Sequence, residues 1–137
     1  MNFYFIDANI PMYWAGADSD YKKPCTQILA DVAARKITAF TSIAVFQEIL
    51  HRYKHIRKLD KGIFVFDYFK QTGVDILPVN NDELYLVRQL AVKYPKLQTQ
   101  DLFHIAVMIN TDIDTIISAD AELDCVDEIS RIDPLEY

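Results

Sequence analysis

The chain has 137 residues, with 51% apolar and 25% charged side chains, the composition of an ordinary globular protein large enough for one real core. Its 20 Asp+Glu against 14 Lys+Arg leave a net charge of −6, which excludes a protein that coats nucleic acid by bulk positive charge but not a site where acids gather to hold cations. Only 3 Gly and 5 Pro are present, so no stretch has the composition of a linker, and residues 1–137 are expected to form one domain.

The opening Met1-Asn2-Phe3-Tyr4-Phe5-Ile6-Asp7 lacks a basic leader and meets an acid after four apolar residues. That is not a secretory signal, and no run approaches the roughly 18 apolar residues of a membrane helix. Phe3 to Ile6 reads as a strand buried on both faces. Tyr21 to Lys36 reads as a helix, its apolar stripe formed by Ile28, Leu29, Val32 and Ala33, with Pro24 accommodated near its start. A short strand is expected at Ile37 to Phe40. Thr41 and Ser42 then look like caps for a long helix reaching about Lys58, and a further helix covers Lys61 to Gln71, stopped by Gly73. Asp75 to Val79 reads as another buried strand. Asn80 or Asn81 caps a helix running to Tyr94 before Pro95, and Thr99 or Gln100 opens one ending near Thr111. Thr115 to Ala119 is a third apolar strand, and Ile129 to Ile132 suggests a small edge strand. Strands alternating with helices predict an α/β domain around a mainly parallel sheet.

The acids fall at telling places. Asp7 directly follows the first strand and Asp120 the strand Thr115 to Ala119. In parallel sheets, ligand sites form beyond the carboxyl ends of the strands. Asp101 stands in the first turn of a helix that is apolar on every side, a partly buried boundary where the helix dipole favours negative charge. Glu48 falls opposite the face of Ile43, Val45, Phe46, Ile49, Leu50 and Tyr53, where it reads as a solvated acid paired with Arg52 at i+4. Asp7 and Asp120 also read as turn or cap residues, and Asp101 as simple helix-end electrostatics. Cys25 and Cys125 lie far apart, outside any metal-ligand spacing, and are expected to be small reduced core residues of a cytoplasmic protein.

Four segments in order carry a resemblance: Asp7-Ala8-Asn9 after an apolar strand; Gln47-Glu48-Ile49-Leu50-His51-Arg52-Tyr53 on the helix after Thr41-Ser42; Gln100-Asp101-Leu102-Phe103-His104-Ile105-Ala106; and Ile116-Ile117-Ser118-Ala119-Asp120. Over essentially its full length the chain resembles the PIN-domain nucleases, and especially the VapC-type toxins of toxin–antitoxin pairs. Leu123 stands where that family commonly has an aromatic residue, a departure that bears on packing rather than chemistry.

The resemblance implies a three-layer α/β/α PIN-like domain and a ribonuclease that leaves a 5′-phosphate and a 3′-hydroxyl. It also implies that Glu48 reaches into the site with Asp7, Asp101 and Asp120 as catalytic and metal-binding groups. Asn9 and Ser118 are then expected to orient carboxylates or water. Four carboxylates in one crevice repel one another and make physical sense mainly around a cation, and hard oxygen ligands select magnesium or manganese. His104, one turn after Asp101, reads as a core histidine rather than a ligand. Arg52, Lys54, Arg57 and Lys58, with His51 and His55, form an acid-free basic stretch that reads either as a phosphate-tracking patch or as a solvated helix face. Tyr13, Trp14 and Tyr21 are base-stacking or packing aromatics. The expected partners are RNA, a second copy of the chain and a small antitoxin. An inactive PIN-like scaffold is the alternative. A phosphatase using Asp7 as nucleophile lacks a second Asp at Asn9 and a convincing later Lys.

Overall fold

The computed structural model describes residues 3–137; Met1 and Asn2, part of the leader reading, lie outside them. Five parallel strands form one sheet: β1 (Phe3–Ile6), β2 (Thr38–Ser42), β3 (Asp75–Leu77), β4 (Thr115–Ile117) and β5 (Ser130–Ile132), in the order β3-β2-β1-β4-β5. Among the described residues six α-helices complete a three-layer α/β/α arrangement: α1 (Asn9–Ala15), α2 (Lys22–Ala33), α3 (Ile43–His55), α4 (Leu59–Gln71), α5 (Asn81–Lys93) and α6 (Thr99–Asn110). The chain builds outward from β1 to β2 and β3, then crosses back to place β4 on the other flank of β1. The switch point is therefore the β1–β4 boundary, where a crevice opens at the strand carboxyl ends.

Several elements depart from the sequence expectation, each for a readable reason. β1 is buried only toward its end: Phe5 and Ile6 are fully buried while Phe3 is 43% exposed. β3 is an edge strand with Asp75 and Ile76 exposed. Thr41 and Ser42 end β2, and Ser42 is at the same time the N-cap position of α3, although its side chain makes no capping bond. The Thr41 hydroxyl donates to the Ile6 carbonyl at 2.9 Å and pins β2 to β1, whereas the buried Ser42 hydroxyl has no partner among the described residues. Helix α1, absent from the expectation, starts two residues after Asp7; its Pro11 sits in the first turn, where a missing N–H costs nothing. Helix α3 stops at His55, short of Lys58. Arg57 turns left-handed (φ 60°), its N–H bonding the Lys54 carbonyl and that of Lys58 the Tyr53 carbonyl, a Schellman closure.

Asn80 precedes α5 as expected, with Glu83 accepting its N–H at 2.9 Å. Helix α6 is enclosed, with Leu102 and His104 through Met108 buried, and it packs against both α5 and α3. Helix α3 thus has two helical neighbours, α4 and α6. The α3–α4 contact is close at Gly62, where a Cβ would lie 2.6 Å from the Tyr53 Cβ. Gly62→Ala is expected to destabilise the fold by about 1–3 kcal/mol through overpacking, beyond the ~1 kcal/mol that helix propensity returns. A denaturant midpoint equal to or above the parent's would show that α3 and α4 separate without cost.

Candidate active site

Asp7 leaves β1 at the switch point, and its N–H continues the β1–β4 ladder to the Ile117 carbonyl at 3.2 Å. Its side chain is the most heavily bonded acid of the crevice. Oδ1 accepts from the Ala8 N–H at 2.7 Å; Oδ2 accepts from the Ser118 hydroxyl at 2.6 Å and the Asn9 amide at 3.3 Å. Asn9 also donates to Ser118 Oγ at 3.0 Å and accepts from the Ala119 N–H at 3.1 Å. Asn9 and Ser118 thereby tie the loops after β1 and β4 into one unit around Asp7. Arg131 on β5 buttresses that unit. It donates to the Ser118 carbonyl at 2.9 Å and grips Asp124 with two bonds of 2.8 and 3.0 Å, which gives Asp124 a structural role.

Asp120 lies in the loop after β4, half-buried, with Oδ1 accepting from the Glu122 N–H at 3.0 Å. It is a cap and a crevice acid at once. Leu123, three residues on, is buried in the core, whereas Cys125, expected there with Cys25, is exposed at the end of the same short turn. The Glu122 side chain is exposed, and nothing in the structure gives it a function.

Glu48 is buried, only 6% exposed, contrary to the solvated face its helical position suggests. The wheel assumes one apolar partner, and α3 has two, so the side opposite α4 meets α6 rather than water. There its Oε1 lies 2.9 Å from His104 Nε2 while Arg52 Nε bonds Oε2 at 3.0 Å. Both sequence readings of Glu48 thus hold in part: it is paired with Arg52 and it faces the other acids. His104 is a core residue, 1% exposed, yet it is turned into the acid cluster, 3.8 Å from Asp7 Oδ1. The sequence reading of a core histidine gives its burial but not its bond to Glu48, although i+3 from Asp101 places it on the same helix face.

Asp101 is buried at the head of α6, and among the described residues no donor reaches its carboxylate. Burial first, then the charges of Asp7, Asp120 and Glu48, push its pKa up to about 7 against the pull of His104. Burial also raises Asp7, with Glu48 adding to the rise and His104 and Ser118 opposing it. For His104, burial acts downward but is outweighed by the Glu48 hydrogen bond and the charges of Asp7, Glu48 and Asp101, so its pKa is raised.

The tightest set of potential ligand atoms among the described residues is Asp7, Glu48 and His104, all within 4.8 Å of one another. Asp101 and Asp120 stand outside that set but close enough to bear on the same charge balance. A donor set of buried carboxylates whose protonation is forced upward fits a hard divalent cation, which would replace repulsion with coordination. The mouth of the crevice is a cavity of about 320 Å³ lined by Gln47, Glu48, His51, Thr99, Gln100 and Phe103. A second, about 600 Å³, shares His51 and Gln100 with it and adds Met12, Arg52, His55, Ile56 and Gln98. Lys54, Arg57 and Lys58 are exposed beyond this trough rather than lining it. Trp14 stacks on Tyr68 at 3.8 Å and on Phe64 at 5.6 Å, and Tyr13 on Tyr21 at 4.9 Å, so these aromatics already have ring partners.

Residues 4–129 match the PIN domain family. The chain belongs to it. Ribonuclease VapC13 of Mycobacterium tuberculosis is 31% identical to this PIN domain over 127 residues, 93% of this chain and 97% of that protein. The crystal structure of Mycobacterium tuberculosis VapC20, a sarcin-ricin loop cleaving toxin, superimposes with a TM-score of 0.75 at 15% identity, covering 92% of this chain and 96% of that one. A toxin–antitoxin complex from Klebsiella pneumoniae gives a TM-score of 0.64 at 16% identity over 97% of this PIN domain and 98% of that chain.

The acid cluster sets a pH dependence for the metal-free PIN domain. Asp101 has a folded pKa (about 7) above its unfolded 3.8, so its contribution to stability is whole below pH 4 and is lost as pH rises through 7. Asp7 acts in the same direction. Thermal unfolding in EDTA is expected to show stability falling from about pH 4 to about pH 7. Asp101→Asn should remove most of that slope and gain on the order of 2 kcal/mol at pH 8, under the ceiling of about 4 kcal/mol set by the rise to about 7. An unchanged slope in the variant would mean that Asp101 is already ionised in the folded protein.

Proposed function

We propose that this PIN domain, residues 1–137 acting as one unit, is a magnesium- or manganese-dependent ribonuclease and the toxin of a toxin–antitoxin pair. The observation that carries the reading is a buried acid, Asp101, with no protein donor, facing Asp7, Glu48 and Asp120 at the strand switch point. The ribonuclease VapC13 supports the reaction class, at 31% identity over nearly the whole chain. The Klebsiella toxin–antitoxin complex supports a small protein partner, and the sarcin-ricin cleaving VapC20 supports a structured RNA as substrate. Exposed Leu84, Tyr85 and Val92 on α5 offer an apolar surface suited to a second copy of the chain. No helix among the described residues is long and apolar enough to cross a membrane, and cytoplasmic RNA is the substrate this reading requires.

Asp7, Asp101, Asp120 and Glu48 are the residues that would hold the cation. The bound ion supplies an activated water at neutral pH and charge neutralisation on the scissile phosphate. Asp7, fixed by three donors, presents its remaining lone pairs in one direction, and Ser118 and Asn9 maintain that direction. Asp120 keeps Oδ2 free while Oδ1 caps the turn at Ala121–Cys125. Water adds to phosphorus, the bond from phosphorus to the 3′ oxygen breaks, and the products are a 5′-phosphate and a 3′-hydroxyl. Arg52, which lines the trough, and Lys54, Arg57 and Lys58, exposed beyond it, are the candidate phosphate contacts. Of these, Arg52 also serves Glu48, so Lys54 and Lys58 give the cleaner test of RNA binding.

Structured and single-stranded RNA incubated with magnesium, manganese or EDTA should be cut only with metal, and Asp7→Asn or Asp101→Asn should abolish cutting while circular dichroism stays native. Magnesium should also raise the melting temperature of the parent protein, because it binds the folded state alone. Full cleavage by either variant sinks the metal-site assignment. Absence of cleavage of any RNA by the parent turns the reading toward a binding scaffold. Lys54→Ala with Lys58→Ala should lower the slope of log binding against log salt by about 1–2, each phosphate contact contributing roughly 0.7–0.9. An unchanged slope would return both lysines to the solvated surface.

A further inference from the structure

Glu48 differs from the other crevice acids in being held at both oxygens by basic side chains. Oε2 is held by Arg52 Nε at 3.0 Å and Oε1 lies 2.9 Å from His104 Nε2, inside a helix–helix contact that excludes water. A carboxylate oxygen in such a bond accepts, so the proton of the contact sits on His104 Nε2 whichever charge the ring carries. A nitrogen committed as a donor has no lone pair for a cation. His104 therefore lies among the ligand atoms without being a ligand, although its Nε2 is within 4.8 Å of both neighbouring carboxylates. Its other nitrogen, Nδ1, is buried without a partner, so no second bond fixes the ring; the Glu48 contact and packing against Phe5 (ring centroids 5.7 Å) do.

We propose that His104 is a positioning residue for the nuclease reaction: its Nε2–H holds Glu48 facing Asp7 and relieves the repulsion between the two carboxylates, without coordinating the metal. The inference rests on the nuclease reading for its kinetic consequence, but not for its structural content. Glu48 sits on α3 and Asp7 after β1; the imidazole from α6 is the group that touches both. Two donors on Glu48 leave two of its four lone-pair positions, so the direction from which a cation or water approaches is set before either arrives.

The test separates a donor from a ligand. In a glutamine, Nε2 occupies nearly the place of the histidine Nε2 and donates, whereas leucine fills the space and donates nothing. His104→Leu should lower kcat for RNA about 10- to 100-fold with KM little changed, and His104→Gln should recover most of the loss. Magnesium binding, followed as the rise in melting temperature or by titration calorimetry, should persist in His104→Gln. Loss of magnesium binding in His104→Gln, or equal loss of activity in both variants, overturns the proposal in favour of a ligand or a purely packing role. Should both variants unfold, the parent protein still decides. In 15N-labelled protein the His104 Nε2 should carry a directly bonded proton, before and after magnesium is added. An unprotonated Nε2 in either state overturns the proposal. Because this reading needs no turnover, a parent protein that cuts no RNA would refute the nuclease assignment while the proton on Nε2 is judged separately.

Discussion

Burying several carboxylates in one crevice is the constraint on which the rest of this structure depends. An ionised carboxylate removed from water loses several kcal/mol of solvation unless donors or a cation replace it. The protein meets the demand unevenly. Asp7 has three donors, Glu48 two, Asp120 one and Asp101 none. The shortfall is greatest at Asp101, whose pKa is pushed up to about 7. A site built only for stability would finish the set or replace Asp101 with an apolar residue, as α6 does at Leu102 and Ile105. The gradient of satisfaction makes sense as a place kept open for positive charge.

Topology supplies the convergence. Strand β4 returns beside β1 after the chain has travelled out through β3, and this brings Ser118, 111 residues away in sequence, to 2.6 Å from Asp7. The Ser118 hydroxyl donates to Asp7 and accepts from the Asp120 N–H, so one small side chain couples both strand-end acids. Arg131 on the edge strand then holds the Ser118 carbonyl from behind. A strand of three residues, β5, is thereby part of the support of the crevice although it contributes no acid to it.

How much of this was legible follows from range. Asp7 and Asp120 could be placed because the strand-end rule needs only local hydropathy and a parallel sheet. Asp101 could be placed because an all-round apolar helix has nowhere to be but inside. Glu48 could not be placed from periodicity: its helix has a second neighbour, α6, and a single helical wheel carries no information on how many neighbours a helix meets. His104 was hidden by the same apolar context that revealed α6, since a histidine among Ile, Ala and Val gives no sign of which of them face an acid. Thr41 and Ser42 have the chemistry of caps, and only the register of β2 against β3, with Thr41 beside Ile76 and Ser42 beside Leu77, shows them to be strand residues as well. Helix α1 escaped notice because Pro11 and the aromatics Tyr13 and Trp14 break the usual helical composition within seven residues.

The basic stretch after Glu48 shows why a run of charge in sequence is not yet a surface. Arg52 turns inward to Glu48, Arg57 takes the left-handed turn that ends α3, and Lys54 and Lys58 point to solvent outside the trough. The wall of the trough itself carries His51, His55 and the amides of Gln47, Gln98 and Gln100. Side-chain amides can hydrogen-bond bases and sugars without forming ion pairs with the acids, which a ring of lysines would do. The net charge of −6 and a nucleic-acid reading are therefore compatible. On the proposed nuclease reading, a cation among the acids would strengthen the attraction for phosphate, so occupancy of the crevice and engagement of an RNA backbone would be linked through one electrostatic balance.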